Sequence, residues 1–366
     1  MTATTDRAPL ALDGWRLVRQ MLDDMTAVIE ADAETELELL EGLRVLGRVT
    51  ALCSEISLDV DPPAPWFFDM STDARLIGGV NPDGEYYLAM IDGQHRYRVR
   101  GRRGTTAYLG FQVLAGVGLT PRRMGAYVSD RDLTVTGNGE FSFVLAAQEP
   151  SAQELAGDAW VGIPEDSSAI VVREYIGDRA VEVAAELAIE PLDPPPLPPA
   201  PTDAVLGEQL TGMAWTIAKL TTLHRTIKPE LLDQPNTLLT AQAADLGAAD
   251  TTPDNLYMIG TFRLAPDEAL VIEFDPIDSR YWSVTLENIW HECIDARRRR
   301  SSITNAAAVV GTDGKVRIVA AARDPHAPNW LDTGGRHRGF VIVRWLDNPE
   351  APAVTTRVVL INEVAG

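Results

Sequence analysis

The sequence predicts a mainly β protein with helical additions, built as two tandem antiparallel β sandwiches, each preceded by helices. Three observations carry this. Between Ala308 and Trp345, Thr312-Asp313-Gly314 separates two β-rich runs, a strong hairpin signal because Gly accepts the positive φ of a tight turn. An earlier stretch repeats the order. Val135-Thr136-Gly137-Asn138-Gly139, Ala146-Ala147-Gln148-Glu149-Pro150, Trp160 and Arg173 recur as Val309-Val310-Gly311-Thr312-Asp313-Gly314, Ala321-Ala322-Arg323-Asp324-Pro325, Trp330 and Arg344, with one extra turn residue in the second copy. Between the copies, Pro191 to Pro201 holds seven prolines and no glycine, the composition of an extended connector.

The expected division is N-terminal helices over 1–58, a first sandwich over 59–190, a Pro-rich linker over 191–202, a helical segment over 203–250 and a second sandwich over 251–366. Residues 1–10 are expected to be disordered. From Leu12 to Cys53, apolar residues recur at three- and four-residue spacing, with a second helix over Thr35 to Leu52. Thr202 or Asp203 can cap a helix that runs on past Leu220. Strands are expected at Tyr86–Ile91, Tyr97–Arg100, Ala107–Leu114, Leu133–Thr136, Phe141–Leu145 and Ala169–Arg173, then at Met258–Leu264, Ala269–Phe274, Trp282–Asn288, within Ala308–Trp345 and at Val354–Ile361. Arg96, Arg98 and Arg100 alternate with Tyr97 and Val99, so that strand has an arginine face that no apolar core can take unpaired.

With 53 acidic and 32 basic residues the net charge is -21; such a surface repels nucleic acid and anionic lipid, so neither is an expected partner. Two cysteines, Cys53 and Cys293, make no disulfide framework, and no apolar run is long enough for a membrane span. The expectation is a soluble, cytoplasmic protein.

The C-terminal half also carries Phe274-Asp275-Pro276, Arg280-Tyr281-Trp282-Ser283-Val284-Thr285-Leu286, Thr312-Asp313-Gly314, Pro328-Asn329-Trp330-Leu331 and Arg344-Trp345. On these it resembles the domain of unknown function 1214 family, over Tyr257 to Trp345. The resemblance implies a second β domain ahead of this one and a pair shaped like a double jelly roll. It implies no activity: some relatives look like glycan-cleaving amidases, and likeness of fold does not establish chemistry.

Gly-x-Ser-x-Gly, phosphate-loop, dinucleotide and His-Glu-x-x-His motifs are absent from the sequence. The densest polar cluster is His291, Asp295, Arg297 to Arg300, Ser302 and Asn305. Read functionally, His291 and Asp295 form an acid/base pair. Arg297 and Arg300 grip an anion, and Ser302, Asn305, Trp290 and Tyr281 complete a pocket for a carbohydrate-like or hydroxylated small molecule. Read structurally, the arginines make surface or inter-subunit ion pairs and the aromatics fill the core. His291, Cys293 and Asp295 would share a face of a strand, but no metal and no cofactor are expected. Arg173 and Arg344, if buried, need carboxylates, for which Glu149 and Asp324 are matched candidates. The expectation is thus a cofactor-independent hydrolase or lyase, or alternatively a non-catalytic ligand-binding or oligomeric assembly module.

Overall fold

The computed structural model describes residues 10–117, 120, 122–227, 229, 233–241, 251–348, 350 and 352–364. Of the stretch expected to be disordered, only Leu10 falls within them, and the end of the second helical segment, 242–250, lies outside.

The described strands form four sheets. β1 (Phe68–Asp69), β2 (Gly84–Met90), β8 (Ser167–Tyr175), β4 (Tyr108–Ala115) and β5 (Arg123–Ser129) make one in the order β1-β2-β8-β4-β5; β7 (Ala159–Gly162), β6 (Glu140–Ala146), β3 (Tyr97–Arg102) and β9 (Glu186–Pro191) make the next in the order β7-β6-β3-β9. The later strands are β10 (Leu239–Ala241), β11 (Asn255–Arg263), β12 (Glu268–Phe274), β13 (Trp282–Glu287), β14 (Ser302–Thr304), β15 (Val316–Ala321), β16 (Trp330–Asp332), β17 (Arg338–Leu346) and β18 (Val354–Leu360). They repeat both orders as β10-β11-β17-β13-β14 and β16-β15-β12-β18. Every strand of the second set takes the place of the strand nine earlier. The fold is therefore two β sandwiches of one topology.

Alternation builds each core. Ile170 and Val172 of β8 pack with Phe111, Phe141 and Phe143 between the first two sheets, and Val341, Val343 and Trp345 of β17 pack with Phe274, Trp282 and Ile318 between the second two. The sheets are not wholly antiparallel: β6–β7 and β15–β16 are parallel pairs. In both, the Trp on the short strand donates its indole N–H at 3.0 Å to the neighbouring strand, Trp160 to the Ala146 carbonyl and Trp330 to that of Ala321.

The two hairpins match without an extra turn residue. The Gly139 N–H donates to Thr136 at 2.9 Å, as Gly314 does to Gly311 at 2.9 Å, with Gly139 at φ +87 and Gly314 at φ +84, where a Cβ is strained. The runs leading into them, Leu133–Thr136 and Ala308–Val310, are not strands; of these, only Val310 bridges, to Val316. Val135, Val309 and Val310 are exposed, so no buried face rewards extension there.

The helices of both halves meet in one layer. α1 (Leu10–Asp32), α2 (Glu36–Leu58) and α4 (Asp203–Thr221) share a core containing Val18, Ile29, Val45, Leu210, Ile217 and Trp290; the one-turn α3 (Ala152–Leu155) stands apart. Thr202 caps α4 by accepting from the Val205 N–H at 3.3 Å, while the Asp203 carboxylate accepts the Leu10 and Ala11 N–H groups that open α1, at 2.9 and 3.0 Å. Thr35 caps α2. That helix is tied to the second sandwich by buried ion pairs, Glu38 with Arg338 at 2.7 Å and Glu41 with Arg336. No described helix is long and apolar enough to cross a membrane.

The arginine face of β3 lies outside the first core and is paired within the chain: Arg96 with Glu154 at 2.6 Å and Asp193 at 2.5 Å, Arg98 with Asp158 at 2.7 Å, and Arg100 with Glu190.

Candidate functional site

The five-stranded sheets face one another across a polar seam. Tyr108, Tyr175 and Tyr281 stack in sequence, each pair with ring centroids 5.0 Å apart. The bonds cross reciprocally. Asp83, just before β2, accepts from the Ser302 hydroxyl of β14, while Asp254, just before β11, accepts from the Tyr127 hydroxyl of β5 at 2.6 Å. Within each copy, the Asn81 N–H donates to the Tyr86 hydroxyl at 2.8 Å and the Thr252 N–H to that of Tyr257 at 3.1 Å.

Arg173 and Arg344 occupy equivalent places on β8 and β17, and both point into this seam rather than toward Glu149 or Asp324. Val172 precedes Arg173, and Val343 and Trp345 flank Arg344, all three within the sandwich cores, so the pleat turns each arginine outward, away from the four-stranded sheet after which Glu149 and Asp324 stand. Arg173 donates to Gln112. Arg344 donates to the Gly79 carbonyl at 2.6 Å and to Thr285 at 3.4 Å, with Glu287 at 3.9 Å. Burial works against the Arg344 charge, yet Tyr86 and Glu287 hold its pKa above the usual arginine range.

On the Arg344 side the seam continues into further polar groups. Glu287 is fully buried and bonds Nδ1 of His291 at 2.9 Å. His291 stands in the left-handed region at φ +56 and stacks on Phe340 at 4.0 Å. A polar chain therefore runs from Asp83 through Ser302, Thr285 and Arg344 to Glu287 and His291, with Thr285 and Ser302 3.2 Å apart.

Beside Asp83 opens a cleft of about 290 Å³, walled by Ser71, Asp73, Leu76, Pro82, Glu85 and Arg179 from the first half and Arg297 from the second. Backbone bonds hold its wall in place: Gly79 N–H to the His291 carbonyl at 3.0 Å and Cys293 N–H to that of Leu76 at 3.0 Å.

The sequence candidates separate accordingly. Arg297 lines the cleft; Ser302 stands behind it through Asp83; Tyr281, fully buried, accepts from Asn81 at 2.6 Å. His291 lies at the far end of the polar chain and faces Glu287, while Asp295 is exposed at φ +35. Arg300 donates to the Pro328 carbonyl at 2.6 Å, Asn305 to that of Ser279 at 3.2 Å, and Trp290 packs among the helices. Among the described residues, no three His, Cys, Asp or Glu side chains are placed to hold a metal ion. Cys293 is buried, which raises its thiol pKa well above the usual value, and donates to the Val80 carbonyl.

A family model described as "Protein of unknown function (DUF1214)" matches residues 261–350. The crystal structure of an uncharacterised protein from Burkholderia cenocepacia is 30% identical, with a TM-score of 0.89 over 97% of this chain and 99% of that one. The chain belongs to the DUF1214 family. The VPA0106 protein of Vibrio parahaemolyticus, at 14% identity, superposes with a TM-score of 0.50 over 88% of this chain and 100% of that one; at such identity the likeness is of fold alone. No curated protein matches the sequence.

In this DUF1214 protein the residues that sequence reasoning passed over are Asp83, Glu287 and Arg179. Asp83 sits in Asn81-Pro82-Asp83-Gly84, which reads as an ordinary turn. Glu287 has a signal, His291 four residues on, but the intervening turn is not helical. Burial raises the Asp83 carboxyl pKa above the ordinary aspartate value, against the pull of Ser302, Arg179 and Arg344. The folded chain then holds that proton more tightly than the unfolded chain, so the stability it contributes is full in acid and is lost as pH rises through the folded-state pKa. Asp83→Asn cannot titrate and should flatten that part of the melting-temperature curve; a curve identical to wild type would assign the slope to another group.

Proposed function

We propose that this protein binds a small carboxylate-bearing molecule in the cleft beside Asp83, with Arg297 as its anion receptor. The supporting observation is the state of that arginine. The other arginine of the cleft is paired, Arg179 with Glu85 at 2.6 Å, whereas Arg297 makes no ion pair among the described residues. In a chain with 53 acidic and 32 basic residues, an arginine left free beside a cavity is available to grip a carboxylate with two parallel hydrogen bonds. Ser71 offers a hydroxyl to the same cleft. The volume, about 290 Å³, stands at the lower end of ligand sites, roughly 300–1,000 Å³. That suits a single metabolite and leaves no room for an extended glycan.

A second reading, acid-assisted hydrolysis or elimination, is favoured by Asp83, which stands between the lining residues Pro82 and Gly84 and whose pKa burial raises. In that reading Asp83 donates the proton, and His291 and Glu287 steady Arg344 behind it.

Calorimetry with a panel of small carboxylates tests the binding reading. A ligand of the wild-type protein should bind Arg297→Met about 10–100-fold more weakly, the loss expected for a charge-assisted contact of about 1.5–3 kcal/mol. The melting temperature should not move. Equal affinity in the variant would remove Arg297 from the site and the reading with it.

A further inference from the structure

We infer that the molecule held in this cleft is zwitterionic, an α-amino acid or a compound of that charge pattern, with its ammonium group directed to Asp73. The inference rests on the carboxylate reading above and adds a second, opposite requirement. The cleft is lined by two arginines, Arg179 and Arg297, and two acids, Asp73 and Glu85. Arg179 and Glu85 neutralise each other at 2.6 Å. What remains is one free cation and one free anion, since Asp73, like Arg297, makes no ion pair or hydrogen bond among the described residues.

The two free charges sit on different halves of the chain, Asp73 on the segment between β1 and β2 and Arg297 on the turn between β13 and β14. They are therefore brought to one cavity by the seam, with neither supplied to satisfy the other. A simple anion seated on Arg297 would leave Asp73 facing like charge across a small cavity, and the surrounding net charge of -21 adds to that penalty. A ligand carrying both signs meets each wall with its complement and brings no net charge into an acidic field. Like-charge juxtaposition thus disfavours plain carboxylates while attraction favours the zwitterion. Leu76 supplies the apolar part of the wall, enough for a short side chain.

The test compares matched pairs on the full-length protein by calorimetry at neutral pH and low salt: the neutral α-amino acids against the 2-hydroxy acids with the same side chains. The expected result is at least one amino acid that binds about tenfold or more tightly than its hydroxy counterpart. Asp73→Asn should reduce that preference to about threefold or less by weakening the amino acid, with the hydroxy acid held or improved and the melting temperature unchanged. Hydroxy acids that bind as tightly as amino acids would overturn the zwitterion and leave the carboxylate reading standing. A preference that survives Asp73→Asn would overturn the assignment of the ammonium site. Absence of binding by both series would sink this inference and the carboxylate reading together.

Discussion

Arg344→Met is expected to destabilise the protein by about 3–5 kcal/mol in urea denaturation, because it strands a buried carboxylate. Glu287 is fully buried; Arg344 is the cation set against it, and His291 bonds its other oxygen through Nδ1 at 2.9 Å. Removing the guanidinium also frees the Gly79 carbonyl, which it caps at 2.6 Å. The loss should come mostly from the orphaned charge rather than from the missing bonds. Arg344→Met combined with Glu287→Gln should therefore recover most of the stability, a coupling readable as a double-mutant cycle. Additive losses in the double variant would mean that the arginine acts chiefly through packing.

Trp290→Ala is expected to cost about 3–5 kcal/mol of stability while leaving cleft affinity unchanged in the folded protein. Its indole N–H donates to the Glu38 carbonyl of α2 at 2.9 Å, and its ring stands edge-on to His224 at 4.9 Å. The contact with α2 depends on Gly42: a Cβ there would come within 2.9 Å of the indole and 2.5 Å of Ile29. Trp290 is thus the peg by which the second sandwich holds the helical layer. A ligand-stacking role would give the opposite pattern, with binding lost and the unfolding midpoint kept.

The repeat was legible because its marks are positional. A turn glycine at positive φ, a tryptophan on a short parallel strand and an arginine facing the seam each do the same physical work in both copies, so the order survives where side chains have drifted. Strands β5, β7, β9, β10, β14 and β16 were harder to read. β7, β10, β14 and β16 span four residues or fewer, too few to show a period, and their extension is imposed by the neighbour they pair with. The arginine on β17 was legible, but its partner was not. Matched spacing suggested Asp324, whereas strand alternation places Arg344 on the opposite face, and only the meeting of two sheets brings Glu287, Thr285 and Gly79 around it. Nothing in Arg297-Arg298-Arg299-Arg300 marks which of the four borders a cavity. That depends on Pro82 and Arg179, more than a hundred residues away in the chain.

The crossed bonds of Asp83 to Ser302 and Asp254 to Tyr127 have a consequence for how such proteins can be recombined. Each acid is answered by a hydroxyl in the opposite copy, and the two hydroxyls belong to different residue types. A chimaera that takes one copy from this chain and the other from a relative will be sound only where acid and hydroxyl agree across the graft. Compatibility is decided at the meeting surface, while the interiors of the two copies are free to be exchanged as units.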